Sequence, residues 1–359
     1  GFWRTDCICA CTLLVTRAQR ISKKEQGLVT SRELVRRTLD FASPSRTARQ
    51  AWVTPWAEEH HPLDVERLRS RFPDDIVVAP PRYLKPLPGT GDRYRKGLYI
   101  DEWGCHFDNT HSGSLGTVRE PVIANWADLE RFKTPDCMLA VDREAVNAFC
   151  AHGSKFVLAG TLIRPFERYC FLRTMEHALA DVLLQPAGFL ELLRLLHEHY
   201  LGEVEAWAAT DIDALFIMDD WGSDDRMVVA PDTWRRFFKP LYRDYCDTAR
   251  RAGKFVFMHT DGQVAAIIAD LIEVGVNALN SQVSCMGIAE LGRRFRGRLT
   301  FWGEIDRSLL SEGSVADVKR EVASMREHLW ADGGVVAQCE FGPGAKPENV
   351  LEVFRAWDD

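Results

Sequence analysis

The sequence predicts a single (β/α)8 barrel of the TIM type, with an insertion after its second strand. Three observations predict it. Eight short apolar runs recur along the chain, separated by stretches with helical patterning. Most of these runs are continuously apolar rather than alternating, as parallel strands covered on both faces are. At 359 residues, the chain has room for one such barrel with additions.

Residues 1–27 read as an extension outside the barrel, which takes residues 28–359. Cys7, Cys9 and Cys11 alternate in that extension, a spacing that matches no standard zinc module. Its apolar run around Leu13-Leu14-Val15 lacks the length and flanks of a signal peptide. Order is expected from Thr30-Ser31-Arg32-Glu33, a capping-box pattern ahead of Leu34, Val35, Leu39 and Phe41.

The expected strands are 50–54, 75–79, 155–160, 214–221, 254–262, 276–283, 299–306 and 334–342. Pro231 opens a helix that runs through Trp234, Phe237 and Leu241 towards Gly253, with Pro and Gly in their favoured end positions. Ser314-Val315-Ala316-Asp317 opens another, closed by Gly333-Gly334. Pro347-Glu348-Asn349 opens the last, with Val350, Val353, Phe354 and Trp357 as its apolar face. Residues 80–150 break the alternation. They read as a β-hairpin from 99–104 and 116–121, then a helix near 126–132, the kind of insertion that covers a barrel mouth or makes a subunit contact.

Composition excludes some classes. With 52 acidic and 45 basic residues the net charge is −7, which argues against a broad nucleic-acid or anionic-membrane surface. No apolar run reaches the roughly 20 residues that cross a bilayer. The seven cysteines from Cys105 to Cys339 are too scattered for a disulfide framework and read as free thiols in a reducing cytoplasm.

A barrel of this type gathers its chemistry at the carboxyl ends of its strands. Arg49 and Gln50 belong to the first strand and Asp74-Asp75 opens the second. The fourth ends Asp219-Asp220-Trp221-Gly222, and the fifth His259-Thr260-Asp261-Gly262. The sixth holds Asn280, Ser281 and Gln282, the seventh Trp302, Glu304 and Asp306, and the eighth Gln338-Cys339-Glu340. His259 and Asp261, two apart on an extended strand end, face the same way and suit a metal. Cys339 is the candidate third ligand, which would leave an open position as catalytic zinc does. The plainer reading pairs His259 with Asp261 through a hydrogen bond and buries Cys339 as a small hydrophobe. Asp219, Asp220 and Glu304 are candidate acid–base or substrate-orienting groups, although strand-end acids also cap loops. Trp221, Trp302, Gln282 and the Asp101-Glu102-Trp103 segment are expected to line the cleft.

These motifs, in this order, resemble the uroporphyrinogen decarboxylase superfamily, which includes corrinoid- and coenzyme M-linked methyltransferases. The resemblance runs from about Thr30 to the C-terminus. It rests on Asp219–Gly222 with Pro231-Asp232-Thr233-Trp234 and Lys239-Pro240, on His259–Gly262 with Leu271–Leu279, and on Gly342-Pro343-Gly344 with Pro347–Val350. It implies a (β/α)8 barrel, commonly a homodimer. The decarboxylases carry Arg-Gln-Ala-Gly-Arg on the first strand, where this chain has Arg49-Gln50-Ala51-Trp52-Val53 and so lacks the second arginine. Asp75 aligns with the aspartate that would bind pyrrole N–H groups, and Cys339 with the late catalytic histidine of that branch. The methyltransferases bind zinc through His-x-Cys and a later Cys. His259 and Cys339 match, and Asp261 stands at the first Cys position.

The expected function is therefore a cytoplasmic, metal-dependent methyltransferase. A divalent ion, zinc by resemblance, would sit on His259, Asp261 and Cys339, with a corrinoid carried by a partner protein. The alternative is decarboxylation of uroporphyrinogen or a related carboxylated tetrapyrrole without a cofactor, using Asp75 and Arg49. A third reading is a non-catalytic barrel that holds a tetrapyrrole or corrinoid.

Overall fold

The computed structural model describes residues 29–359. The expected N-terminal extension lies outside them. Eight parallel strands form one sheet: β1 (Ala48–Val53), β2 (Ile76–Val78), β6 (Phe156–Leu158), β7 (Ala214–Met218), β8 (Phe255–His259), β9 (Ala278–Asn280), β10 (Thr300–Trp302) and β11 (Val335–Phe341). Their order is β1-β11-β10-β9-β8-β7-β6-β2. The remaining seam joins β1 to β2, where Asp75 N–H donates to the Arg49 carbonyl at 2.9 Å. The sheet is thus a nearly closed (β/α)8 barrel with helices between its strands, and every expected strand is present.

One apolar set fills the barrel. It contains Ala48, Ile76, Phe156, Leu158, Ala214, Phe216, Phe257, Ala278, Trp302 and Val336, with Trp52 and Met218 packed on it. The residues between them on the same strands join the helix layer: Val157, Leu215, Ile217, Val256, Met258, Leu279, Phe301, Ala337, Cys339 and Phe341. Period-two alternation therefore sorts each strand into inward and outward side chains. Helix Ser31–Leu39 plugs the amino end through Leu34, Val35 and Leu39. Thr30 caps it by accepting from Glu33 N–H at 3.2 Å, while the Glu33 carboxylate turns to Arg37, so only half of the capping box forms.

The helix expected from Pro231 is two, Pro231–Phe237 and Lys239–Arg251. Pro240 has no N–H to give the preceding turn, and its ring disfavours a continuous helix. The Ser314 capping box with Asp317 and the C-terminal helix Pro347–Asp358 form as the sequence predicts. The insertion differs in pairing. It is a three-stranded antiparallel sheet of β3 (Gly97–Ile100), β4 (His106–Asn109) and β5 (Thr117–Val118), because Asp101 closes a tight turn between the first two by accepting from Trp103 and Cys105 N–H. The expected helix there is a 3-10 turn, Trp126–Glu130. Trp103 is buried beneath Arg168, whose guanidinium also pairs with Asp101 at 2.5 Å. This segment fastens the insertion to helix Pro165–Arg173, with Trp103 buried in the core rather than lining a cleft. Among the described residues no helix is long and apolar enough to cross a membrane, and all seven cysteines are unpaired.

Asp75 precedes β2 and so lies at the amino end, away from the strand ends that carry chemistry. It is 1% exposed and takes both Arg46 Nη groups at 2.7 Å, Ser31 Oγ at 2.6 Å and Arg49 N–H at 3.0 Å. Arg49 points outward from β1 to Asp358 of the last helix, at 2.8 and 3.1 Å, and so leaves the barrel interior. Both residues are structural, contrary to the sequence expectation. Replacing Asp75 with Ala should cost about 3 kcal/mol of stability, because it strands Arg46 and two further donors. A urea unfolding midpoint checks this, and an unchanged midpoint would contradict it.

Candidate active site at the carboxyl ends of the strands

Strand alternation brings a polar group to the mouth of the barrel. His259 ends β8 facing inward and is 5% exposed. Asp220 and Asp261 continue the inward parity of β7 and β8. Their Oδ1 atoms each lie 3.6 Å from His259 Nε2, and one ligand atom from each of the three residues falls within 4.8 Å of the others. Glycines make this closeness possible. A Cβ on Gly222 would come within 2.5 Å of the Asp261 carbonyl, and one on Gly262 within 2.4 Å of the Ser223 carbonyl. With no side chain there, the loops after β7 and β8 interlock, through Trp221 N–H to Thr260 Oγ1 at 3.0 Å and Asp261 N–H to Asp220 Oδ1 at 3.2 Å.

Other inward groups surround the trio. Asn280, opposite His259 on β9, meets His259 Nδ1 through Oδ1 at 2.5 Å. Its Nδ2 donates to the Trp302 carbonyl and, at 3.0 Å, to Gln338 Oε1. Glu304 is 1% exposed and accepts from Arg307 Nε at 2.5 Å. Burial raises its carboxyl above the usual range, with Arg307 opposing. The Arg307 guanidinium also reaches Asp261 at 3.3 Å and Glu340 at 3.8 Å. Trp52 lies half-buried beside His259, ring centroids 5.1 Å apart, with its edge against Trp302. Gln282 Oε1 accepts from Gly262 N–H at 2.9 Å and so braces the β8 loop. Gln50 lies deeper, donating to the Ile76 carbonyl at 3.3 Å.

The structure thus gathers Asp220, His259, Asp261, Gln282 and Glu304, with Gln50 below them, while Trp302 is fully buried in the barrel's apolar interior rather than lining the cleft. Three other expected residues have the opposite parity. Asp219 turns outward, fully buried, and caps helix Pro165–Arg173 by accepting from Phe166 and Glu167 N–H at 3.0 and 2.7 Å and from Tyr242 OH at 2.5 Å. Burial pushes its carboxyl up to about 8, against three donors that favour the charge. Trp221 stacks on Phe166 and donates to Tyr242 OH at 2.8 Å, away from the cleft. Cys339 belongs to the core shared with the helix layer and not to the apolar set inside the barrel, and Asp220 stands beside the His259–Asp261 pair instead. Sequence reading misses Trp52 and Arg307, and names Asn280 and Glu340 at strand ends without giving them a role. The polar Gln338 and Glu340, flanking Cys339, carried the parity signal that would have turned Cys339 outward.

The family model of uroporphyrinogen decarboxylase (URO-D) matches residues 100–359. The chain belongs to the uroporphyrinogen decarboxylase family. Among solved structures it resembles a methyltransferase from Methanosarcina mazei, with TM-score 0.63 and 16% identity over 92% of this chain and 98% of that one. An endo-β-1,4-xylanase from Gloeophyllum trabeum matches less well, with TM-score 0.43 and 13% identity over 92% and 99% of the two chains. At such identities the likeness concerns the fold. No curated protein sequence matches.

The zinc–thiolate set of the family's methyltransferases does not fit this member of the family. Asp261 replaces one thiol and Cys339 faces the helices. Burial also pushes the Cys339 thiol far up, with Glu304 and Glu340 adding to the shift. Cys285, by contrast, is exposed. Alkylation of the native protein should therefore label Cys285 and leave Cys339 unmodified until unfolding, as read by peptide mass spectrometry. Labelling of both at similar rates would contradict this placement.

Proposed function

We propose that the chain is a metal-dependent, methyltransferase-like enzyme of this family, with a divalent ion on Asp220, His259 and Asp261. The observation that carries the reading is the setting of His259 Nε2. His259 is 5% exposed, and its Nε2 faces one oxygen of Asp220 and one of Asp261, each at 3.6 Å. A ring nitrogen and two carboxylate oxygens converging this closely make a donor set that suits a cation between them. A tetrahedral centre with bonds of about 2.1 Å has ligand–ligand edges of about 3.4 Å, close to the spacing seen here.

A bound ion would supply Lewis acidity, to acidify a thiol or polarise the oxygen of a methyl donor. The protein's own groups serve around it. Glu304 accepts from Arg307 Nε at 2.5 Å, with burial raising its carboxyl and the guanidinium opposing that rise. Arg307 offsets part of the negative charge of Asp261, Glu304 and Glu340. Trp52 and Met218 wall the apolar side next to His259 and limit water there. A corrinoid on a partner protein is the methyl carrier this reading calls for.

Three carboxylates on one guanidinium, with Asp220 as a fourth acid beside His259, suit a cation better than a polycarboxylate macrocycle. The decarboxylase reading also loses support, because Arg49 and Asp75 are engaged at the amino end. Wild-type protein purified without chelator should hold about one divalent ion per chain, while His259→Ala and Asp220→Asn hold far less and Cys339→Ala holds as much as wild type. Elemental analysis checks this. Metal-free wild type, or uroporphyrinogen turnover by chelator-treated protein, would overturn the proposal.

A further inference from the structure

The proposed centre requires His259 Nε2 to be free of a proton. Nothing in the three candidate ligands ensures that, since an imidazole can carry its proton on either nitrogen. The group that decides is one layer deeper. The Trp302 main-chain carbonyl is an acceptor and nothing else. It therefore fixes the NH2 side of the Asn280 amide, which donates to it and, at 3.0 Å, to Gln338 Oε1. With its nitrogen held on that side, the amide presents Oδ1 to His259 Nδ1 at 2.5 Å. That contact requires a proton on Nδ1, so of the two neutral tautomers only the Nδ1–H form satisfies it. Asn280, His259, Trp302 and Gln338 are all buried, so water offers little competition for these bonds.

We infer that Asn280 is the positioning residue of the site: through the Trp302 carbonyl it holds His259 in the Nδ1–H tautomer and aims the Nε2 lone pair between Asp220 and Asp261. The direction of information runs from main chain to amide to imidazole, and none of these steps needs the metal. The tautomer is thus a property of the chain by itself, while its consequence for affinity rests on the metal reading above. The backbone of β10 is bonded into the barrel on both edges, pairing with β9 and β11, so the carbonyl that starts the relay is rigid. A ring orientation fixed in this way also spares the cost of selecting one rotamer and one tautomer on binding.

Two measurements test this on the full chain. Two-bond proton–nitrogen correlation spectra of metal-free, histidine-labelled protein at alkaline pH, assigned with His259→Gln, report which ring nitrogen carries the proton. Wild type should show Nδ1–H. Asn280→Leu should shift His259 towards Nε2–H, while Asn280→Asp, which keeps an acceptor at Oδ1, should retain Nδ1–H. Thermal unfolding identifies any variant that fails to fold, and Gln338→Leu, which leaves the Trp302 carbonyl in place, should keep the wild-type tautomer as a second folded control. Mn2+ binding followed by electron paramagnetic resonance should then weaken about 10- to 100-fold in Asn280→Leu and less in Asn280→Asp. An Nε2–H wild type, or a folded Asn280→Leu with the wild-type tautomer or unchanged affinity, overturns the assignment. If wild type shows Nδ1–H and binds no Mn2+, the metal reading fails while the tautomer relay stands.

Discussion

Every feature of the site depends on the alternation of side chains along parallel strands closed into a barrel. Each strand gives one residue to the interior and the next to the helices. Trp52, Asp220, His259, Asp261, Asn280, Trp302, Glu304, Gln338 and Glu340 fall on the inner set. Arg49, Asp219, Trp221 and Cys339 fall on the outer one. Neighbours in sequence therefore have unrelated work. Asp219 secures a helix while Asp220 faces the cleft, and Cys339 joins the core of the helix layer while Gln338 receives a hydrogen bond from Asn280.

The inner set forms two layers. The lower one is a web of uncharged donors and acceptors, Asn280, Gln338 and the Trp302 carbonyl, sealed by Trp52. The upper one is charged and open to the mouth, with Asp220, Asp261, Glu304, Glu340 and Arg307. His259 joins them, with one ring nitrogen in each layer. That division lets the chain set the state of the imidazole from below and present it above. Two glycines complete the arrangement, since a side chain on Gly222 or Gly262 would force apart the loops that carry the two aspartates.

The fold was legible because it rests on local pattern. Continuous apolar runs, Pro231 and Pro347 at helix starts and the Ser314 cap each report a short-range preference, and the structure keeps them. The site was legible to the level of strand ends and no further. Asp220, His259, Asp261, Gln282 and Glu304 come together as the sequence suggests because polarity at a strand end marks the mouth. Cys339 and Asp219 were chosen by chemistry without parity. Gln338 and Glu340 flank Cys339, so two polar residues on the inner face leave the thiol on the outer one. Arg307 and the Trp302 carbonyl carried no signal, because one lies on a helix after the strand and the other is main chain. Asp75 was drawn in by the resemblance, yet its position before β2 places it at the amino end.

The cation site proposed for this family member consists of nitrogen and oxygen donors alone. X-ray absorption of protein loaded with one equivalent of zinc tests it most directly. The account predicts a first shell of nitrogen and oxygen scatterers at about 2.0–2.2 Å and no sulfur. A sulfur shell at about 2.3 Å would place Cys339 on the metal and contradict the outward orientation on which the account is built.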